Sequence, residues 1–348
     1  MRLSDSECEI QEVLIMEKTA KYLALTAGIM AVLVSGCTGK EAAPATLTAA
    51  EMTTAAEETQ ETVALAEIDD VQVPLYQKPS GSSIRTPQAS GSQTFGNSKV
   101  TLDVSNSSQG YCMVKYDGGQ SKIKVQVTKG ANTYTYDLNA RSSYETFPFS
   151  EGNGSYSVKV FENVSGNQYS QAFSQDVSVS LANEFAPFLY PNQYVNFSGG
   201  SAVVQMSNQL AAPAADQVAV VTNIYNYVVG NFTYDTAKAQ SVQSGYLPDV
   251  DQVLASRRGI CFDYAAVMTA MLRSQDIPAK LVVGYTGSVY HAWVNVYIEN
   301  IGWVDSFIYF DGVNWSLMDP TFASSGGNSS EVQQYIGNSS NYQAKYSY

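Results

Sequence analysis

Histidine is almost absent from this sequence: 348 residues contain one, His291. Cysteine is scarce at four, tryptophan at three, and charged residues make up only 15%. Each shortage excludes something. With one histidine, few cysteines and no clustered Asp/Glu loop, the folded part has no zinc or calcium signature, so any catalysis rests on protein groups without a cofactor. Lys and Arg number 19 against 32 Asp and Glu, a net charge of −13. No cluster of bases is available to neutralise phosphates, which argues against a nucleic-acid partner. The apolar run from Tyr22 to Val34 is too short to prefer a permanent membrane span.

What is abundant points to strands and turns. The chain is 45% hydrophobic and carries 24 tyrosines, enough to bury a core, in a mixture that favours β-structure over long solvated helices. Glu17, Lys18 and Lys21 precede the apolar run, which stops at Val34-Ser35-Gly36-Cys37. That pattern reads as a signal peptide over residues 1–37 with a lipobox-like site, Met16 being the expected start and Cys37 the expected lipidation site. The protein is therefore expected to be exported and held to the outer face of a bacterial cell membrane by a lipid anchor. Residues 38–97 are acidic and then Ser/Gly-rich, with eight acids and no base between Glu41 and Asp70. They lack a sustained hydrophobic period and are expected to form a disordered linker.

From residue 98 to 182 the pattern becomes short alternating runs, Val100–Val104, Tyr111–Tyr116, Lys122–Val127, Thr133–Leu138, Tyr156–Phe161 and Ala172–Val179, separated by Gly/Asn/Asp turns. Such spacing predicts a small immunoglobulin-like β-sandwich. Residues 183–215, with Pro187, Pro191 and Pro213, read as a polar connector. A domain over 216–348 follows. Its helices are expected at Ala215–Gly230, at Asp249–Ser256 with Asp249 as cap, and from Cys261 to about Ser274. Strands are expected at Lys280–Tyr285, Tyr290–Ile298, Trp303–Phe310 and Asn314–Met318, which makes the fold class α+β.

Chemistry concentrates in this second part. Cys261 follows Arg257-Arg258-Gly259-Ile260 and opens a helix whose Tyr264, Val267, Met268, Met271 and Leu272 form an apolar stripe. A helix's first turn favours an anionic sulfur through unpaired N–H groups and the macrodipole, and the two arginines would add to this. Cys112, within a predicted strand, reads as a buried and inert thiol, and no disulfide is expected between cysteines in different domains. His291 lies in the alternating run Tyr290-His291-Ala292-Trp293-Val294-Asn295-Val296. Ala292, Val294, Val296 and Ile298 share its core face, leaving His291, Trp293, Asn295 and Tyr297 on the other. Imidazole suits the role of base to a thiol. A carboxylate should orient that imidazole, and spacing alone leaves Asp305 and Asp319 as alternatives.

The segments Gly259-Ile260-Cys261-Phe262-Asp263-Tyr264-Ala265, His291-Ala292-Trp293-Val294-Asn295-Val296 and Trp315 to Thr321, the last ending in Asp-Pro-Thr, together resemble the transglutaminase-like superfamily over roughly Gln217 to Ser324. The resemblance implies a papain-like core of helices packed on an antiparallel sheet. It also implies a nucleophile, base and orienting carboxylate in chain order, which places Cys261, His291 and Asp319 in those roles. Eukaryotic members use a tryptophan upstream of the nucleophile to stabilise the oxyanion, whereas Trp293, Trp303 and Trp315 all follow Cys261. The Cys261 backbone N–H, with a side chain such as Tyr234 or Gln252, is the candidate replacement, and Trp293 is a candidate for the substrate site. The expected activity is attack on a peptide or carboxamide carbonyl, with hydrolysis somewhat favoured over transfer to an amine. Protein, peptide or cell-wall peptide substrates would then be the partners. The rival reading is a non-catalytic surface module that binds peptide or cell-wall polymer.

Overall fold

Alternation along residues 98–182 does become sheet. A computed structural model describes residue 78, residues 84–304, 308–310, 315–317 and 342–348. Eight strands precede the first α-helix: β1 (Thr94–Gly96), β2 (Val100–Asp103), β3 (Tyr111–Tyr116), β4 (Ile123–Lys129), β5 (Asn132–Asp137), β6 (Glu145–Pro148), β7 (Gly154–Ser165) and β8 (Gln168–Val179). They form two four-stranded antiparallel sheets, in the orders β1-β2-β3-β6 and β5-β4-β7-β8. Every second side chain is buried in the core: Val100 and Leu102, then Cys112, Val114 and Tyr116, then Ile123, Val125 and Val127, then Tyr156, Val158 and Val160. The period of two that marked these runs is the direct consequence of strand geometry.

The stretch from residue 84 to 97 departs from the expected linker. Arg85 pairs with Asp276 at 2.8 Å. The Gln88 N–H donates to the Tyr111 hydroxyl at 3.0 Å, and the Gly91 N–H to the Asp103 carboxylate at 2.8 Å. Asp103 and Tyr111 are both buried, so a polar strand-like segment is held by backbone donors finding buried acceptors, without an apolar period of its own. Residues 1–77, with Cys37, lie outside the described residues.

The connector is also more structured than its composition suggested. A 3₁₀ turn at Ala186–Phe188 leads to helix α1 (Ala202–Ala211), which buries Val203, Val204, Ser207 and Ala211. The Asp251 carboxylate accepts the Val203 N–H at 2.9 Å, and the buried Ser207 hydroxyl donates to the Met271 carbonyl at 2.8 Å. One polar and three small or β-branched residues thus form a buried helical face.

Next come α2 (Gln217–Asn231), the two-residue strand β9 (Thr233–Tyr234), α3 (Thr236–Ser241), α4 (Val250–Ser256), β10 (Arg258–Gly259) and α5 (Cys261–Ser274). Aspartates cap three of them: Asp216 accepts from Ala219, Asp235 from Lys238 and Asp249 from Gln252. The remaining strands are β11 (Ala279–Thr286), β12 (Val289–Ile298), β13 (Gly302–Val304), β14 (Ile308–Phe310), β15 (Trp315–Leu317) and β16 (Tyr342–Ser347). Their main sheet is antiparallel in the order β13-β12-β11-β16, with β14 and β15 paired separately. Helix α5 lies against β11 and β12. Its Tyr264, Val267, Met268, Met271 and Leu272 are fully buried, and burial of each such side chain contributes about 1.5–3 kcal/mol. The architecture is α+β, with a helix-on-sheet layer after an all-β sandwich.

Side chains join the two parts. Tyr194 stacks on Tyr136 of β5 at 5.8 Å and meets Phe262 of α5 at 5.5 Å and Tyr348 at 4.5 Å. Arg273, in the last turn of α5, is buried and donates to the carbonyls of Ala279, Tyr190 and Tyr348. Its burial lowers the guanidinium to about 9, and the carbonyls supply the acceptors that a buried cation requires.

Candidate active site

Helix α5 begins at Cys261 because Gly259 and Ile260 end an extended segment and Asp263 closes the turn. Gly259 pairs with Tyr234 in a two-residue parallel ladder, flanked by Thr233 N–H to Arg257 carbonyl and Asp235 N–H to Gly259 carbonyl bonds of 2.9 and 2.8 Å. A Cβ at Gly259 would sit 2.6 Å from the Asp263 Cβ, so only glycine permits this approach. The N-cap is Ile260, whose side chain has no acceptor to offer. The Asp263 carboxylate instead accepts the Ile260 N–H at 2.8 Å. The N–H groups of the helix's first turn therefore receive no side-chain cap from residue 260, and they converge where the half-buried Cys261 thiol starts the helix. Such a terminus is suited to an anion.

The histidine comes from the sheet. His291 lies on β12, the strand against which α5 packs, opposite Gly284 of β11. The predicted alternation holds: Ala292, Val294, Val296 and Ile298 belong to the hydrophobic core. The opposite face is covered rather than open, with His291 6%, Trp293 2% and Asn295 8% exposed. Trp293 is thus a packing partner more than a surface. Its ring lies nearly parallel to that of His291 at 6.4 Å and meets Tyr342 edge-on at 5.3 Å. At Gly284 a Cβ would fall 2.1 Å from the Gln343 carbonyl oxygen, so β16 closes against the sheet directly beside the histidine's register position.

The other expected residues separate. Tyr234 stands two residues from the nucleophile through its pairing with Gly259. Gln252 is exposed in the first turn of α4, its backbone N–H donating to the Asp249 cap at 3.0 Å. Asp319 and Asp305 both lie outside the described residues. Of the two arginines before the nucleophile, Arg258 has another partner. Arg258 pairs with Asp235 at 2.9 Å and Arg257, exposed, takes the left-handed C-cap of α4 with φ of 51°. The Arg258 hydrogen bond holds the Asp235 carboxyl below its ordinary range. The two cysteines among the described residues, Cys112 and Cys261, are free, and burial pushes the Cys112 thiol far up while leaving it inert.

A second polar cluster was not legible from spacing. Asp263 is 0% exposed, and its carboxylate receives the Lys238 ammonium at 2.6 Å and the Tyr246 hydroxyl at 2.6 Å as well as the Ile260 N–H. Burial, with the Asp263 hydrogen bond, keeps the Tyr246 phenol protonated well beyond its ordinary range. The only sequence signal was an aspartate at the third position of a helix otherwise buried along its length. Among the described residues no group of three or more His, Cys, Asp or Glu is placed to hold a metal ion, and no helix is long and apolar enough to cross a membrane.

Known proteins resemble the part of the chain that carries these residues. Residues 204–306 match the model of the transglutaminase-like superfamily, so the match reaches back into α1. The uncharacterised protein YebA of Bacillus subtilis is 34% identical over 104 residues, covering 24% of this chain and 14% of that protein. A UPF0252 protein of Methanocaldococcus jannaschii is 31% identical over 97 residues, 24% of this chain and 28% of that protein. The matched part thus spans under a third of either relative. The periplasmic domain of TgpA from Pseudomonas aeruginosa, 15% identical, aligns over its full length and 70% of this chain with a TM-score of 0.31, a general likeness that assigns no chemistry. The segment that matches the transglutaminase-like superfamily, residues 204–306, is the one that carries both Cys261 and His291.

Proposed function

We propose that this protein is an exported, lipid-anchored cysteine enzyme acting on peptide or carboxamide bonds. The observation that carries the reading is the placement of Cys261 as the first residue of α5, on a helix packed against the strand that bears the chain's single histidine. In this reading His291 accepts the thiol proton as the Cys261 Sγ attacks the carbonyl carbon, and the proton passes to the leaving amine as the tetrahedral adduct collapses to a thioester. First-turn N–H groups of α5, beginning with that of Cys261, stabilise the oxyanion, with Tyr234 adjacent through β9. Asp319 orients the imidazole. Water then releases a free acid, or an amine takes the acyl group. Anchoring through Cys37 would direct the site at peptides and proteins of the cell surface.

Protein lacking the residues before Thr38, offered peptide amides together with a primary-amine probe, tests this. Turnover should vanish in both Cys261→Ala and His291→Ala and fall strongly in Asp319→Ala. A larger effect of Asp305→Ala would move the orienting role to that residue. Free acid as the product supports hydrolysis and an amine conjugate supports transfer. Retained binding of cell-wall peptides with no turnover in the unmutated protein would favour the non-catalytic module.

A further inference from the structure

Two ion pairs of opposite polarity join the segment from Asp235 to Tyr246 to the turn that delivers Cys261. Asp235, the cap of α3, pairs with Arg258 on β10, while Lys238 of the same helix pairs with Asp263 on α5. Acid and base are exchanged between the two sides, so the pairs fix both register and direction of approach. Asp263 is the unusual member. A fully buried carboxylate two residues from the sulfur, on the same helical turn, opposes development of negative charge on that sulfur. It is also the acceptor that fixes the Ile260 N–H and, through its contact with Gly259, the turn itself.

The charges around it are balanced. Lys238 Nζ lies 2.6 Å from Asp263 Oδ2 and 2.6 Å from the Tyr246 hydroxyl, and the Tyr246 hydroxyl donates to Asp263 Oδ1. Asp249 adds a negative field at Tyr246, and the Asp235–Arg258 pair is neutral in sum. The two strands against which α5 packs carry Lys280 and Tyr285 on β11, and Tyr290, His291 and Tyr297 on β12, as their titratable groups. Lys238 is thus the cation that neutralises the buried carboxylate in the first turn of the helix that Cys261 opens. Its side chain is 26% exposed while that of Asp263 is 0%, so the pair is only partly open to solvent and its charge balance is felt at the helix start.

We infer that Lys238, Tyr246 and Asp263 form a positioning cluster for Cys261, in which Asp263 holds the turn and Lys238 cancels the charge that Asp263 would otherwise impose on the nucleophile. The inference rests on the cysteine-enzyme reading and assigns this cluster a role beyond holding the fold. Its loss should act on the reactivity of the thiol more than on substrate binding.

The test is the pH profile of Cys261 alkylation by iodoacetamide, followed residue by residue by mass spectrometry, alongside steady-state kinetics. Lys238→Gln keeps a hydrogen-bond donor near Asp263 without its charge. It should fold, as judged by an unchanged circular dichroism spectrum, yet slow alkylation of Cys261 at pH 7 about tenfold, moving the half-maximal pH up by about one unit. kcat should fall by a similar factor with KM nearly constant. Lys238→Arg should restore most of the rate, and Tyr246→Phe, which leaves the ion pair, should cost about twofold. Folded Lys238→Gln protein with the wild-type alkylation profile would overturn the inference while leaving the enzyme reading intact. If wild-type Cys261 itself alkylates no faster than an ordinary exposed thiol, the enzyme reading and this inference fall together.

Discussion

Cys112 is the second residue of β3, opposite Phe147 of β6, with Val114 and Tyr116 following on the same face and no exposed surface of its own. Cys261 is half-buried at the head of α5, whose first turn holds a carboxylate paired with an ammonium and a phenol, and it follows a turn that only glycine permits. One region surrounds its sulfur with packing; the other sets its cysteine at a helix start whose first turn is held by matched charge. The same side chain is therefore a small hydrophobe in the first place and a candidate nucleophile in the second, and the difference lies entirely in what the fold brings near it. The sandwich also illustrates the cost of burial, since Tyr134, Tyr136 and Tyr156 are pushed toward the protonated state.

The contrast is sharpened most by exchanging function against stability. Cys261→Ala should lower turnover by about a thousandfold or more while moving thermal stability by less than about 1 kcal/mol. Phe147→Ala, across from Cys112, should do the reverse. Deleting a fully buried ring costs about 3–5 kcal/mol, read as a lower denaturant midpoint with turnover per folded molecule unchanged. Gly259→Ala would break the division, because its Cβ collides with Asp263 and shifts the start of α5; activity should fall steeply alongside a stability loss of about 1–3 kcal/mol.

Alkaline titration gives a smaller effect whose sign follows from burial. Tyr134, Tyr136 and Tyr156 have phenols raised in the folded state by desolvation. Above the unfolded value of about 10 the unfolded chain binds fewer protons than the native one, so stability falls as pH rises, by up to about 1.4 kcal/mol per pH unit for each fully buried phenol. Below that pH their stabilisation is fully present. Phenolate absorbance near 295 nm should therefore appear together with loss of circular dichroism, as one transition. The smallest change is expected for Asp249→Ala, which removes the cap of α4 and should cost about 1 kcal/mol without touching the nucleophile.

Much of this arrangement was readable from residue order. β3 and α5 fall within a residue of where alternation and helical periodicity put them, and β12 carries its core face as expected. What was not readable depends on distant partners. α1 has only Val203, Val204, Ser207 and Ala211 on its buried face, and its stability comes from Asp251 and Met271. The strand β16, Tyr-Gln-Ala-Lys-Tyr-Ser, is polar at alternate positions and exists because β11 has a free edge for it. The same holds at the site. Cys261 and His291 announced themselves by type and context, whereas Lys238 and Tyr246 reach Asp263 from 25 and 17 residues away, a proximity no local pattern encodes. Arg258 was expected to serve the sulfur and is paired with Asp235 instead, because the β9–β10 ladder brings that acid closer.

Competitive alkylation of Cys112 and Cys261 at mildly acidic pH separates a reactive nucleophile from a packed thiol. Intact protein is exposed to limiting iodoacetamide near pH 6 and each thiol is quantified by mass spectrometry. The account predicts that Cys261 is modified at least a hundredfold faster than Cys112, that His291→Ala removes most of that advantage, and that Cys112 reacts only on unfolding. Equal and slow modification of both cysteines in the folded protein would contradict it.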